Sequence, residues 1–318
     1  MSEECLRGPM INSHVDIPLQ HYVFPGQMIS LFIMAYYAIK DLICRRYNII
    51  AQRTIILLGV ADFCLLLTML PQSLVTFEFF YENESCRRFM HYSKIFINAW
   101  SNVFSAIEVY LTVAICAECY LRARCSSLVK YFTPGWYGNV FLAVVVSWSF
   151  LISSYHFVLY ELMTAFRCNG TKLVSKLILS EYFSTDVVRF LNINQAVTVI
   201  LVPCLIVAYC NYKLTKLVES EKLPLINNEC QELFSNQENM SSQRQQITWN
   251  LKLINVFFIL SHILSFVPFL YDIFPSLHGS EFFPGIITIM NSSLVSGKLF
   301  TLFLLYRNCG YLARTGFY

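Results

Sequence analysis

Long apolar runs separated by short polar stretches set the plan of this chain. A run of roughly 18 or more apolar residues is long enough to cross a bilayer as a helix. The pattern predicts seven such spans, at about 22–43, 54–80, 92–121, 137–160, 188–212, 248–274 and 282–305. The first is the shortest: Tyr22 to Ile39 closes on Lys40-Asp41, and a re-entrant segment is the alternative there. Residues 1–21 form a polar N-terminal segment without the apolar core of a cleavable signal, so the first span is expected to serve as its own insertion signal. Residues 22–307 make up the membrane domain and 308–318 a short tail. The stretch 213–247, rich in Glu, Gln, Asn and Ser without periodicity, reads as a flexible loop. The fold class expected is an all-α membrane protein, a seven-helix bundle.

Composition agrees with that plan. Of 318 residues, 56% are apolar, 16% aromatic and 14% charged, whereas soluble domains carry about 25% charged residues. Mean hydropathy is +0.52. The net charge of +3 decides little, but the placement of Lys and Arg sets orientation. With the N-terminus outside, the inner segments hold 14 basic residues and the outer segments 8, and Lys298 lies within a span. The excess predicts an extracellular N-terminus in a multi-pass plasma-membrane protein. Two glycosylation sequons, at Asn83 and Asn169, fall in outer loops, whereas those at Asn239 and Asn291 fall where the transferase has no access.

Enzyme chemistry finds no support. The six histidines are scattered, no metal spacing appears, and no nucleophile–base pair is legible. Nothing marks a nucleic-acid partner. The twelve cysteines sit mostly inside apolar segments, where a free thiol behaves as a small hydrophobe. Cys86 and Cys168 fall instead in outer segments, on the redox-permissive side, and Cys5 is an odd outer thiol.

Motifs narrow the class. The third span, Ser101 to Arg124, carries Leu111-Thr112-Val113-Ala114 and closes on Glu118-Cys119-Tyr120. The second reads Leu58-Gly59-Val60-Ala61-Asp62 with Pro71 nine residues on, and the fourth carries Trp148. The fifth pairs Pro203 with Asn211, and the sixth reads Ser265-Phe266-Val267-Pro268. The seventh opens on Asn291-Ser292-Ser293, and Tyr306-Arg307 follows it. Over spans two to seven the chain resembles the rhodopsin-like (class A) G-protein-coupled receptors. It is most similar to FMRFamide and myosuppressin receptors and to nematode serpentine receptors of the Srw type. The resemblance implies a disulfide between Cys86 and Cys168, an extracellular ligand, and a heterotrimeric G protein at the inner end.

The departures are as informative. Cys119 stands where the family has the arginine of its (Asp/Glu)-Arg-Tyr triplet, and Phe266 stands at the usual tryptophan. No Asn-Pro-x-x-Tyr follows in span seven. Glu118 is left to pair with Arg122 at the i,i+4 spacing, a contact worth only about 0.3–0.5 kcal/mol.

Three charged residues fall well inside the spans, away from their ends: Asp62, Glu108 and Lys298. An ionisable group at mid-span marks a functional site by default. The resemblance aligns Asp62, Glu108 and Asn291 with the family's sodium pocket, here with two carboxylates. Such a pair in low dielectric does not ionise twice at low cost, so a proton or Na⁺ would sit between them, with Lys298 as an internal counter-ion. The alternative is a hydrogen-bonded, protonated Glu108 and a Lys298 that snorkels to the inner headgroups.

A family-like pocket would be lined by Trp100, Phe104, Gln195, Phe266, Phe269, Tyr271 and Asp272. The arginine of an amidated Arg-Phe peptide needs a carboxylate, and Asp272, Glu281 and Glu161 are candidates, unless they are solvated loop charges. The expected function is a receptor for a neuropeptide or other small extracellular ligand, signalling to G proteins. Its rivals are a chemosensory or non-signalling decoy receptor, favoured by Cys119, and a transporter or channel, against which no internal repeat appears.

Overall fold

A computed structural model of the chain describes residues 22–23, 25–27, 29–30, 33, 49–74, 77, 79–80, 83–124, 136–167, 172–219, 249–250, 252–263, 296–298, 300–301 and 303–304. Four helical stretches among them are long and apolar enough to cross a membrane: Thr54–Pro71, Glu84–Leu121, Gly138–Phe157 and Thr185–Leu217. They correspond to the predicted spans two to five. Hydrocarbon offers no partner to backbone N–H and C=O groups, so segments of this kind satisfy their own as helices. The predicted first, sixth and seventh spans are described in parts only. Those parts are helical residues within 22–33, the shorter apolar helix α6 (Lys252–Ile263, numbered after the elements below) and helical residues between 296 and 304.

Helix α1 covers Ile49–Leu74 and contains Pro71. A proline there removes one helical N–H and crowds the carbonyl four residues back, and the helix ends within a turn of it. Helix α2, Glu84–Arg124, is the longest at 41 residues, about 60 Å at 1.5 Å per residue. It begins eight residues before the predicted span. Asn83 caps it, its Oδ1 accepting from the Cys86 N–H at 3.2 Å, and Glu84 pairs with Arg88 at 2.5 Å. Polar first turns are invisible to hydropathy, yet a capped, dipole-matched start extends the helix.

Helix α2 is also the axis of the core. Ala99, Val103, Ala106, Val109, Leu111 and Ile115 on it are buried against α1, against α3 (Trp136–Ser153) and against α5 (Val202–Glu219). Small residues on this helix let backbones approach, the usual basis of helix packing in lipid. Helix α3 ends in a 3₁₀ turn, Ser154–Phe157, rather than running to residue 160. It presents Val140, Phe141, Val144, Trp148 and Leu151 outward.

The segment between the fourth and fifth spans, read from sequence as an outer loop, is a β-hairpin. Strands β1 (Tyr160–Arg167) and β2 (Lys172–Leu179) pair antiparallel from Tyr160 opposite Leu179 to Arg167 opposite Lys172. Its base is closed by the Ser180 N–H donating to the Leu159 carbonyl at 3.0 Å. The Ser180 hydroxyl donates to Glu161 at 2.6 Å. Glu161, a candidate for a ligand arginine, therefore has a structural partner.

The fifth span is nearly continuous. Helix α4 (Thr185–Gln195), capped by Ser184, passes through a π-turn at Ala196–Leu201 into α5. In the π-turn the Val202 N–H bonds the Val197 carbonyl, and Pro203 has no N–H to offer Thr198. The Thr198 carbonyl released in this way accepts from the Tyr110 hydroxyl of α2 at 3.1 Å. Tyr110 in turn accepts from Trp148 Nε1 at 3.3 Å. One hydroxyl thus ties three spans at the place where proline forces the helix to widen.

Candidate functional site

The charged residues of the spans come together in the core. Asp62 comes from α1, Glu108 from α2 and Lys298 from the helical residues at 296–298, and each is 3% exposed or less. Lys298 Nζ lies 2.5 Å from Glu108 Oε2. It also donates to Ser105 Oγ at 2.9 Å, and Ser105 is one helical turn before Glu108 on the same face of α2. Lys298 is therefore an internal counter-ion. The snorkelling alternative has the ammonium at the inner headgroups; here it points into the bundle, at the Glu108 carboxylate.

Asp62 lies within electrostatic range of both Glu108 and Lys298. Neither of its oxygens has a hydrogen-bond donor among the described residues, and the buried Thr112 hydroxyl, one turn beyond Glu108, has no partner among them either. Asn291, the third polar residue expected here, lies outside the described residues. One ammonium thus faces two carboxyl groups, and the closer takes it. The second carboxyl has room in the charge balance for one more positive charge.

Sequence reasoning missed a fourth member. His262 of α6 is as buried as Lys298 and lies within electrostatic range of it. Its Nδ1 is 2.7 Å from the Phe258 carbonyl and 3.2 Å from Ser261 Oγ, and its ring stacks on Phe258 at 4.1 Å. Gly297 makes the approach possible: a Cβ there would come within 2.4 Å of Ser261 Cβ. A histidine followed three residues later by Ser265-Phe266 was a signal in the sequence, but a lone His on an apolar face does not name its neighbour.

At the other end of α2 the triplet position holds Glu118, Cys119 and Tyr120. The Cys119 thiol is half-buried, within electrostatic range of Cys116 and Cys210. Tyr120 is buried and meets Tyr209 of α5 edge to face, at 6.3 Å between centroids. The side chain of Arg122, the expected partner of Glu118, lies outside the described residues. Two residues beyond Tyr209, Asn211 of α5 donates to Asn255 of α6 at 2.8 Å. Truncating either to Ala should destabilise by about 0.5–2 kcal/mol, and a double-mutant cycle read by thermal melts should return a coupling of about 0.6 kcal/mol. A coupling of zero would deny the contact.

Of the residues expected to line a ligand pocket, Trp100, Phe104 and Gln195 are described. Trp100 stacks on Phe104 at 5.5 Å and packs edge-on to Phe157, also at 5.5 Å, so it seals the α2–α3 contact and is 40% exposed. Gln195 is buried at the end of α4, where its side-chain oxygen accepts from the Tyr155 hydroxyl and lies 2.7 Å from His156 Nε2. Tyr155 also reaches Asn192 at 3.2 Å. Tyr155, His156 and Asn192 were missed, although Asn192 and Gln195 share a helical face at i,i+3. Phe266, Phe269, Tyr271, Asp272 and Glu281 lie outside the described residues. Cys86, in the first turn of α2, has no disulfide partner among the described residues; its expected partner Cys168 and the sequon Asn169 lie outside them, and Asn83 is exposed.

Among known proteins, no family model matches the chain and no curated protein matches it.

Proposed function

We propose that the chain is a seven-helix receptor of the rhodopsin-like type in the plasma membrane, with its N-terminus outside, glycans at Asn83 and Asn169 and a Cys86–Cys168 staple. Its ligand is an extracellular peptide of the FMRFamide class, and its inner end addresses a G protein. The observation that carries this is the buried ion pair between Glu108 and Lys298 with Asp62 beside it. It ties a residue near the end of the chain to the central helix at mid-membrane. In the proposed receptor this pair is the contact that closes in one state and parts in the other, and a ligand that binds one state better shifts the population toward it. Support also comes from the Tyr110–Thr198 and Asn211–Asn255 contacts, which couple the fifth span to its neighbours.

Cys119 favours a second reading, a receptor that binds without efficient coupling, in a chemosensory or decoy role. The test is G-protein recruitment in cells expressing wild type or Cys119→Arg, screened against RF-amide peptides. A response from wild type supports coupling through other residues. A response only from Cys119→Arg supports a working pocket on a weakened receptor. Silence from both at normal surface expression refutes the peptide assignment.

A further inference from the structure

We propose that the ends of α2, α5 and α6 on the Tyr120 side form a binding site for the phosphate-bearing headgroup of an anionic lipid. The inference needs only that these helices cross a membrane, so it stands or falls apart from the receptor reading. The membrane-compatible stretches end at Leu121 and Leu217, which puts Arg124, Lys213 and Lys216 within about a turn of the boundary. Arg124 Nη1 donates to the Tyr120 hydroxyl at 2.6 Å, and its guanidinium carbon is 6.0 Å from that ring's centroid. Tyr120 meets Tyr209 across the helix interface, and Lys213 Nζ is 5.6 Å from the Tyr209 centroid. Lys216 Nζ is 4.9 Å from the centroid of Tyr212. The Asn211–Asn255 bond fixes α6 alongside, so that Lys252, one turn before Asn255, reaches the same end.

Two features select a lipid over a soluble anion. Tyr209 and Tyr212 are more than half exposed, at 54% and 52%, and Trp249, three residues before Lys252, is 62% exposed. Rings with a polar edge settle at the headgroup level of a bilayer, so Tyr212 and Trp249, the nearest to the boundary, mark where the acyl chains end. Cations held over those rings then stand at the depth of the phosphates. Arg supplies a planar fork and Lys compact ammonium groups, the two side chains best suited to phosphate oxygens. The described carboxylate on α2 near this end is Glu118, half-buried.

Native mass spectrometry of the full chain in detergent, titrated with dioleoylphosphatidic acid and with dioleoylphosphatidylcholine, tests the site. Wild type should retain phosphatidic acid in preference. Lys213→Gln with Lys216→Gln should weaken that retention about 30-fold, since each cation near an acidic lipid contributes about fivefold. Lys213→Arg with Lys216→Arg should keep it, which guards against a folding defect. Lys94→Gln with Arg189→Gln, an equal charge loss at the opposite end, should leave it unchanged. Three results would each overturn the proposal. One is equal retention by the Lys213/Lys216 glutamine variant, and another is an equal loss in the opposite-end variant. The third is displacement of the lipid by inorganic phosphate or a polyglutamate peptide at matching concentration.

Discussion

Replacing Lys298 by methionine should destabilise the protein by about 3–5 kcal/mol, the usual cost of leaving one member of a buried pair alone. Glu108→Gln should cost less than Lys298→Met, because Ser105 still accepts from the ammonium and Asp62 remains in range to balance it. The double variant, Lys298→Met with Glu108→Gln, should recover much of the loss. Taking two charges out of water costs nearly as much as their attraction returns, so a neutral pair of similar volume is well tolerated. Lowering the pH should partly rescue Lys298→Met and leave wild type less affected, since a proton replaces the missing positive charge beside two carboxyl groups. Sodium should act in the same direction as acid. Melting temperatures of the four proteins in one detergent, across pH and sodium, provide the check. A double variant whose loss is the sum of the two single losses would mean that the 2.5 Å contact contributes nothing.

What the sequence revealed follows from what hydropathy measures. Length and apolarity made four crossing helices legible, because lipid leaves the backbone no other form. Glu108 announced itself for the same reason: a carboxylate in the middle of such a run demands a partner. Which partner was not legible. Lys298 has a stem long enough to reach either the core or the headgroups, and its direction depends on how its helix is turned. That turn is set by Gly297 lying against Ser261, a packing relation between segments far apart in sequence. The hairpin escaped because Lys172 to Leu179 lacks the apolar–polar alternation of a half-buried strand, and its strand form rests on pairing with β1. The first turns of α2 escaped because a cap, not hydrophobicity, extends them. His262 and the Tyr155–His156–Gln195 contacts escaped because a polar side chain in an apolar helix names its own need and never its donor.

Gly297→Ala should be the most damaging single-methyl addition among the described glycines. At Gly26 and Gly59 a Cβ meets nothing within 4 Å, whereas at Gly297 it falls 2.4 Å from Ser261 Cβ, 2.9 Å from Ser261 Oγ and 3.3 Å from the Phe257 carbonyl. Alanine gains up to about 1 kcal/mol of helix propensity over glycine, and at Gly59 that gain should appear as a small stabilisation. At Gly297 overpacking opposes it, at a typical cost of about 1–3 kcal/mol. The cost belongs at the upper end because the obstructing atom is a Cβ fixed to its own backbone. The helices must then part, and Lys298, the next residue, is drawn from Glu108, so part of the ion-pair loss adds to the steric one. Ser261→Gly removes both closest atoms, so Gly297→Ala with Ser261→Gly should regain most of the stability, leaving only the 3.3 Å approach to the Phe257 carbonyl. Thermal melts of Gly59→Ala, Gly297→Ala, Ser261→Gly and the Gly297/Ser261 double variant measure this directly. A Gly297→Ala protein as stable as Gly59→Ala would show that the segment carrying Lys298 does not lie against α6, and the counter-ion assignment would lose its geometric support.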